Sequence, residues 1–440
     1  MMLHRLLFQR IDNSPLIIFR IFFGVLVSLE CFGAIATGWL KRNIVAPKYT
    51  FPFIDFAWLE PLTGQGMYFY FTMMGIFGIC IAIGLKYRFS ILAFTILWTG
   101  SYLMQKTAYN NHYYLLVLVS SLMCLFPAHK DYSLDVRMGT VQKENSMYSY
   151  VKWIIVLQLF IVYTYASIAK LYGDWLDFGM IDILMKSKSG YPLVGDVLQQ
   201  PWTHKIIGTS GILFDLLVIP ALLWKPTRKA AFIASIFFHL FNSIIFQIGI
   251  FPYLSLAFTV FFFEPETIRK LFFKRKIQFS LQKMVVPNYK KPFLIVFGIY
   301  FLLQFILPIR HYFIKDDVLW TEEGHRMSWR MMLRERSGTG TFKMVRSNGN
   351  EIFIDVNKFL TAGQQRKVLA YPDFAWQFAQ YLKRELKQDG DEVSVYLVNS
   401  KVSINGRPAF PFIDPTVDLA NIPWTPFKHS DWILPSPLED

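Results

Sequence analysis

Four places along the chain carry residue types that can do chemistry. Asn110-Asn111-His112 is followed by Tyr113 and Tyr114. An Asn beside a His can fix a ring tautomer or hold an anionic oxygen, and the same trio also suits a plain polar turn between helices. Lys170 stands at the end of an apolar run, in YASIAKLYGDW. A lysine there commonly snorkels to the interface. A lysine taken out of water instead gives up its proton more readily and can serve as a general base. Asp174, four residues on, is a candidate ion-pair partner for it. His239 and Asn242, in FFHLFNSIIF, are three apart and share one helix face, with Ser243 beside them and Gln247 further along. They suit either an interhelical hydrogen bond or a site. Glu30 and Arg20 lie ten residues apart in the first apolar run, too far to pair directly, and the role of Arg20 stays open. Ionisable groups inside apolar spans are costly and often functional.

The elements that must position these groups are apolar. Of 440 residues, 17% are charged, against about a quarter in soluble domains, and 43 are Phe. Nine apolar runs are candidate spans: 16–39, 67–85, 90–108, 112–127, 151–170, 208–224, 230–248, 250–263 and 292–309. The fourth and eighth are short. The first run outlasts a signal-peptide core and reads as a span. From about residue 310 charges become dense. TFKMVRSNG, EIFIDV, DEVSVYLVN and SKVSING read as short strands, and 368–387 as helical after Pro372. The fold class is therefore a polytopic α-helical membrane bundle of about nine spans with a C-terminal mostly β extramembrane domain. Residues 1–309 form the expected helical bundle, and 310–440 the expected extramembrane domain, with one or two helices beside its strands.

The net charge of +14 does not point to nucleic acid. Basic residues sit in short clusters between apolar runs: Lys86 and Arg88; Lys130, Arg137 and Lys143; Lys225, Arg228 and Lys229; and a set from Arg269 through Lys276 and Lys283 to Lys291. This is the positive-inside pattern, and it places the N-terminus inside and the C-terminal domain outside. Segment 264–291 mixes basic and aromatic residues and suits an interfacial helix on anionic lipid. Cys31, Cys80 and Cys124 all lie in or beside apolar runs, which disfavours a disulfide scaffold or structural zinc.

In this topology His112 and Lys170 lie at outer ends of spans, and His239 begins near mid-membrane on a helix running outward. Three polar sites can thus converge in the outer leaflet half, where apolar walls with few polar groups suit an amphipathic cofactor. The chain lacks a Rossmann fingerprint, a P-loop, HExxH and GxSxG, and it offers no metal-ligand cluster.

The segments KTAYNNHYYL (106–115), YASIAKLYGDWL (165–176), FFHLFNSIIFQIGIFPY (237–253) and WTEEGHRMSWRMMLRERSG (320–338) together resemble the vitamin K-dependent gamma-glutamyl carboxylase family, including bacterial members with an HTTM-type (horizontally transferred transmembrane) domain. The resemblance implies a carbon–carbon lyase in a bacterial inner membrane, with the C-terminal domain periplasmic. It implies gamma-carboxylation of protein glutamate, coupled to epoxidation of reduced vitamin K (of menaquinol or phylloquinol type) by O2, with CO2 as co-substrate. It maps the family's catalytic lysine onto Lys170, its Asn-His pair onto Asn111-His112, and its span histidine onto His239. Asn110, Asn111, His112, Asn242 and Gln247 are the expected cofactor-binding residues. The expected partners are a glutamate-containing protein or peptide and the bilayer. Arg310, His311, Glu322, Glu323, His325 and Arg326 are further polar groups near the junction. Animal members carry a disulfide between bundle and extramembrane domain. Residues 310–440 hold no cysteine here, so any tether must be non-covalent. Two other functions fit the same residues: a quinol epoxidase without carboxylation, and a transporter or scaffold, although no internal repeat is evident.

Overall fold

All nine apolar runs contain a helix, although Gly or Pro falls inside several of them, Pro220 within 208–224 and Pro308 within 292–309 among them. The computed structural model describes residues 6–280, 286–387 and 392–438. Helices of eight or more residues are α1 (Ser14–Ala36), α2 (Gly66–Ile83), α3 (Tyr87–Met104), α4 (Asn111–Leu125), α5 (Tyr150–Ile168), α6 (Gly179–Lys186), α7 (Pro201–Leu223), α8 (Arg228–Phe241), α9 (Phe251–Phe258), α10 (Pro265–Phe272), α11 (Lys290–Ile309), α12 (Ala362–Ala370) and α13 (Pro372–Leu386). Six of them are long and apolar enough to cross a membrane: α1, α2, α5, α7, α8 with its π-helical extension to Phe246, and α11 with its extension to Phe313. The expected nine is therefore not reached. α4 and the Phe251–Phe261 segment are shorter apolar helices, and α3 lies outside both sets.

The bundle core joins α1 to α5, α7, α9 and α10. α1 and α2 cross closely because Gly24 and Gly78 face each other's backbone, and a Cβ on either would collide. A short ladder of β1 (Arg10–Asp12) and β2 (Ser146–Tyr148) closes the basic end. Arg20 is fully buried there. It donates to Ala128 O at 2.9 Å, Asp131 O at 3.3 Å and Tyr132 O at 2.6 Å, so it clamps a loop.

The expected interfacial helix over 264–291 is only partly present. α10 is helical, 273–280 is not, and 281–285, with Lys283, lie outside the described residues. Lys276 is buried rather than facing lipid. Its Nζ bonds Asp12 Oδ1 at 2.6 Å and Asn13 Oδ1 at 2.7 Å.

The C-terminal region is mixed rather than mostly β. An antiparallel sheet of order β4-β3-β5-β6 comprises β3 (Arg336–Arg346), β4 (Glu351–Phe353), β5 (Val393–Ile404) and β6 (Phe410–Pro411). DEVSVYLVN and SKVSING fuse into the single strand β5. α12 and α13 pack on one face around Phe342, Val368, Phe374, Phe378 and Val395. The α1–α2 connection enters the same core through Phe51 and Tyr49, held by Gln377 Nε2 on Pro52 O at 2.9 Å and Gln364 Nε2 on Tyr49 O at 2.6 Å.

Candidate active site

Each site residue is fixed by a break or an end in a helix. Asn110 caps α4, its Oδ1 accepting from Tyr113 N at 2.8 Å. Asn111 is tied on both sides: Tyr109 OH donates to its Oδ1 at 2.9 Å, and its Nδ2 donates to Arg330 O at 3.1 Å. His112 then projects from the first turn and stacks on Phe251, ring centres 4.0 Å apart. α8 ends at Phe241, so His239 lies in its last turn, and Asn242–Phe246 form a π-helical turn. The helix does not run outward through Gln247, as the sequence suggested. Gln247 has left-handed backbone (φ 52°) and donates to Tyr191 OH at 3.1 Å.

Lys170 does not snorkel. It is buried, and its Nζ lies 3.0 Å from Ala166 O and 2.5 Å from Asp215 Oδ2 of α7. Its partner is therefore Asp215. Asp174 instead binds Arg407 in a bidentate pair and accepts from Asn405 Nδ2 at 2.6 Å, which docks the β5–β6 hairpin onto the bundle.

Two cavities meet at these residues. One, of about 450 Å3, is lined by Lys170, Asp215, His112, His239, Asn242 and Tyr163 amid Phe214, Phe237, Phe238 and Phe251. His239 Nε2 lies 3.1 Å from Tyr163 OH, and its buried Nδ1 has no partner among the described residues. The mouth faces outward between α7 and α8, where Phe237 is 72% and Ile206 59% exposed. The other cavity, of about 950 Å3, lies between the bundle and the C-terminal domain and is lined by Glu30, Asn110, Asn111 and Gln247 with Lys106, His325, Arg326, Arg330 and Arg334. His112, Ile248, Met331 and Met332 line both cavities. Glu30 faces the larger one and accepts from Tyr113 OH at 2.7 Å.

The 320–338 block forms the wall between them. Trp320 belongs to the C-terminal core and Trp329 to the bundle core. Along this block Glu322, Gly324, Met327, Trp329 and Met332 all have φ between 57° and 78°. Non-glycine residues held there carry strain, which accumulates where geometry is over-determined by function. Asp373 holds Lys106 and Arg326, and Glu322 holds Arg334 and Arg336. Burial alone would push Asp373 up, but Arg326 and Lys106 outweigh it and hold the carboxyl below its usual range. Glu322 is held low in the same way by Arg334 and Arg336. Burial, reinforced by the surrounding arginines, pushes His325 well below its ordinary value, so its imidazole is neutral. Arg330 differs from its neighbours. It is buried, its Nη1 lies 3.4 Å from His311 Nε2, its Nε has no partner, and among the described residues it forms no ion pair. A buried cation without an ion-pair partner is costly, and an anion entering the cleft can relieve that cost.

Two family models match the chain, the HTTM domain over residues 8–266 and the vitamin K-dependent gamma-carboxylase lumenal domain over residues 289–439. The chain belongs to the vitamin K-dependent gamma-carboxylase family. No solved structure matches it. The first match ends at residue 266, inside α10, and the second begins at 289, just before α11, so α11 travels with the lumenal match of this carboxylase-family chain. Among the described residues no group of three or more His, Cys, Asp or Glu is placed to hold a metal. The apolar cavity suits the ring of reduced vitamin K: aromatic walls, an orphaned imidazole nitrogen, a lysine with a carboxylate, and an outlet for a tail between α7 and α8. Sequence reasoning on the carboxylase chain missed Asp215 and Arg330. An acidic residue inside run 208–224 was a visible signal for the first. Nothing in the sequence separates Arg330 from the paired arginines beside it.

Proposed function

We propose that this carboxylase-family enzyme carboxylates the gamma carbon of protein glutamate and couples that step to epoxidation of reduced vitamin K by O2. The observation that carries the reading is the convergence of Lys170, His112 and His239 on one apolar cavity that shares a wall with a cationic cleft. This also favours an enzyme over a transporter, since the three groups line one cavity rather than a path across the membrane.

Bound in the apolar cavity, the reduced quinone supplies with O2 the strong base that a glutamate gamma C–H demands and no side chain provides at neutral pH. The chain's own residues do the rest. Lys170 accepts a proton at Nζ from the cofactor's hydroxyl. Asp215 Oδ2, at 2.5 Å, positions that amine and can take its resting proton, leaving a pair without net charge in a dry site. His112 and His239 donate to developing anionic oxygen, and Tyr163 fixes the His239 ring. The phenylalanine walls keep water from the base. In the cleft, Arg330 holds the glutamyl carboxylate and Met331–Met332 pass the gamma carbon toward the cofactor. CO2 enters the same junction. Asn111 acts through its bond to Arg330 O rather than on the cofactor. The enzyme sits in a bacterial inner membrane with the sheet domain periplasmic.

The test is mass spectrometry of a glutamate-containing peptide incubated with purified protein, reduced vitamin K, O2 and labelled bicarbonate. Label on glutamate together with quinone epoxide supports the reading. Epoxide without label, across peptides that bind, reduces it to a quinol epoxidase.

A further inference from the structure

α11 touches the bundle through Phe293, Phe297, Tyr300 and Phe301, with Tyr300 OH donating to Gln158 Oε1 at 2.6 Å, and leaves a gap to one side. No residue between Lys290 and Leu303 is buried, and Gln304 is the first that is. The gap is an apolar cavity of about 480 Å3, walled by Phe293, Phe297, Gly298 and Phe301 on one side and Trp153 and Leu157 of α5 on the other. Dense packing is the rule between helices, and a gap of this size forfeits the dispersion contacts of both faces unless something fills it. From Phe293 to Phe301 the groove runs about 12 Å along the helix at about 1.5 Å per residue. One leaflet's hydrocarbon is about 15 Å deep.

The groove does not end blindly. Phe293 and Phe297 also line a second cavity of about 510 Å3 at the basic end, shared with Arg10, Arg88, Lys130 and Glu144. Glu144 pairs with both Arg10, at 3.0 Å, and Lys130, at 2.7 Å. Arg88 donates to the Cys124 carbonyl and, among the described residues, has no carboxylate. Three cations thus face one carboxylate, with Tyr148, Tyr150 and Tyr289 around them. In the positive-inside topology the basic end lies at the headgroup level of that leaflet, and the apolar groove leads from it toward the hydrocarbon.

The geometry points to a bound phospholipid with an anionic headgroup: its phosphate among Arg10, Arg88 and Lys130, and one acyl chain between α5 and α11. This site lies at the opposite end of the bundle from Lys170 and is independent of the carboxylase reaction. It would make α11, the link to the sheet domain, a helix whose packing is completed by lipid.

Gly298 provides a direct test, because a Cβ built there meets nothing within 4 Å. Gly298→Trp fills the groove without removing a contact, and a larger residue raises helix propensity. The full chain in nanodiscs containing equal phosphatidylglycerol and phosphatidylcholine with identical acyl chains is released and weighed by native mass spectrometry. Wild type should retain one phosphatidylglycerol, about ten-fold over phosphatidylcholine. Arg88→Gln/Lys130→Gln should erase that preference, and Gly298→Trp should abolish retention of either lipid. Equal retention of the two lipids by wild type overturns the headgroup assignment. Undiminished retention in Gly298→Trp overturns the groove. Displacement of the lipid by inorganic phosphate alone would reduce the site to an anion pocket.

Discussion

Lys170 Nζ lies 2.5 Å from Asp215 Oδ2, and both side chains are buried at the edge of one apolar cavity. The carboxylate sets both the position and the proton balance of the amine. Asp215→Asn keeps the shape and removes the acceptor. Epoxide formation should fall about 100-fold, within the range for acid–base groups, while KM for the quinol changes little. The pH–rate profile should also shift. An unchanged profile and rate would reduce Asp215 to a packing residue.

Arg330 should set affinity for the acceptor glutamate. Arg330→Gln is expected to raise peptide KM by about 10- to 100-fold, the loss of one charge-assisted carboxylate contact. Binding of reduced vitamin K, followed by its fluorescence, should be unaffected. A weakened quinol affinity with normal peptide KM would place Arg330 in the other cavity.

Asn111 and His112 are adjacent but should behave differently. Asn111→Ala removes the bond to Arg330 O, so it should raise peptide KM and cost about 1–3 kcal/mol of stability. His112→Ala should lower epoxidation with stability nearly kept. If both variants lose epoxidation equally and keep peptide KM, Asn111 acts on the cofactor after all.

The nine apolar runs and the polar groups at their ends were legible because hydropathy and charge are local properties of the sequence. Helix partners were not. Asp174 is the partner that sequence spacing offers Lys170, and the actual choice of Asp215 depends on α7 packing against α5 and on Arg407 arriving at Asp174 from 233 residues away. The break after Phe241 was hidden as well, since Asn242–Phe246 holds neither Pro nor Gly and the left-handed Gln247 and Gly249 lie beyond it. In the C-terminal domain the helix after Pro372 was legible and α12 was not, because α12 is short and polar. Its apolar contacts are few, and its capping box at Thr361 and Gln364 is a weak signal alone.

The sheet domain is held without a disulfide, by ion pairs that respond to acid. Asp373, paired with Lys106 of the bundle, and Asp174, paired with Arg407 of the sheet domain, are both held below their ordinary range in the folded chain. Their contribution is present above the unfolded value of about 4 and is lost as pH falls through the folded values. Domain docking, read by limited proteolysis, should therefore loosen below about pH 4. Asp373→Asn should loosen it at neutral pH, at a cost of about 3 kcal/mol or more, since Lys106 and Arg326 lose their shared partner. Docking that is indifferent to acid in wild type would contradict this.

The most direct test of the central claim is quinone epoxide formation by Lys170→Ala in wild-type-like membranes, with reduced vitamin K, O2 and a glutamate-containing peptide. The account predicts loss of epoxide by at least about 100-fold, with the folded protein and its quinol binding retained. Epoxide at the wild-type rate would contradict it, because no other amine lines the apolar cavity among the described residues.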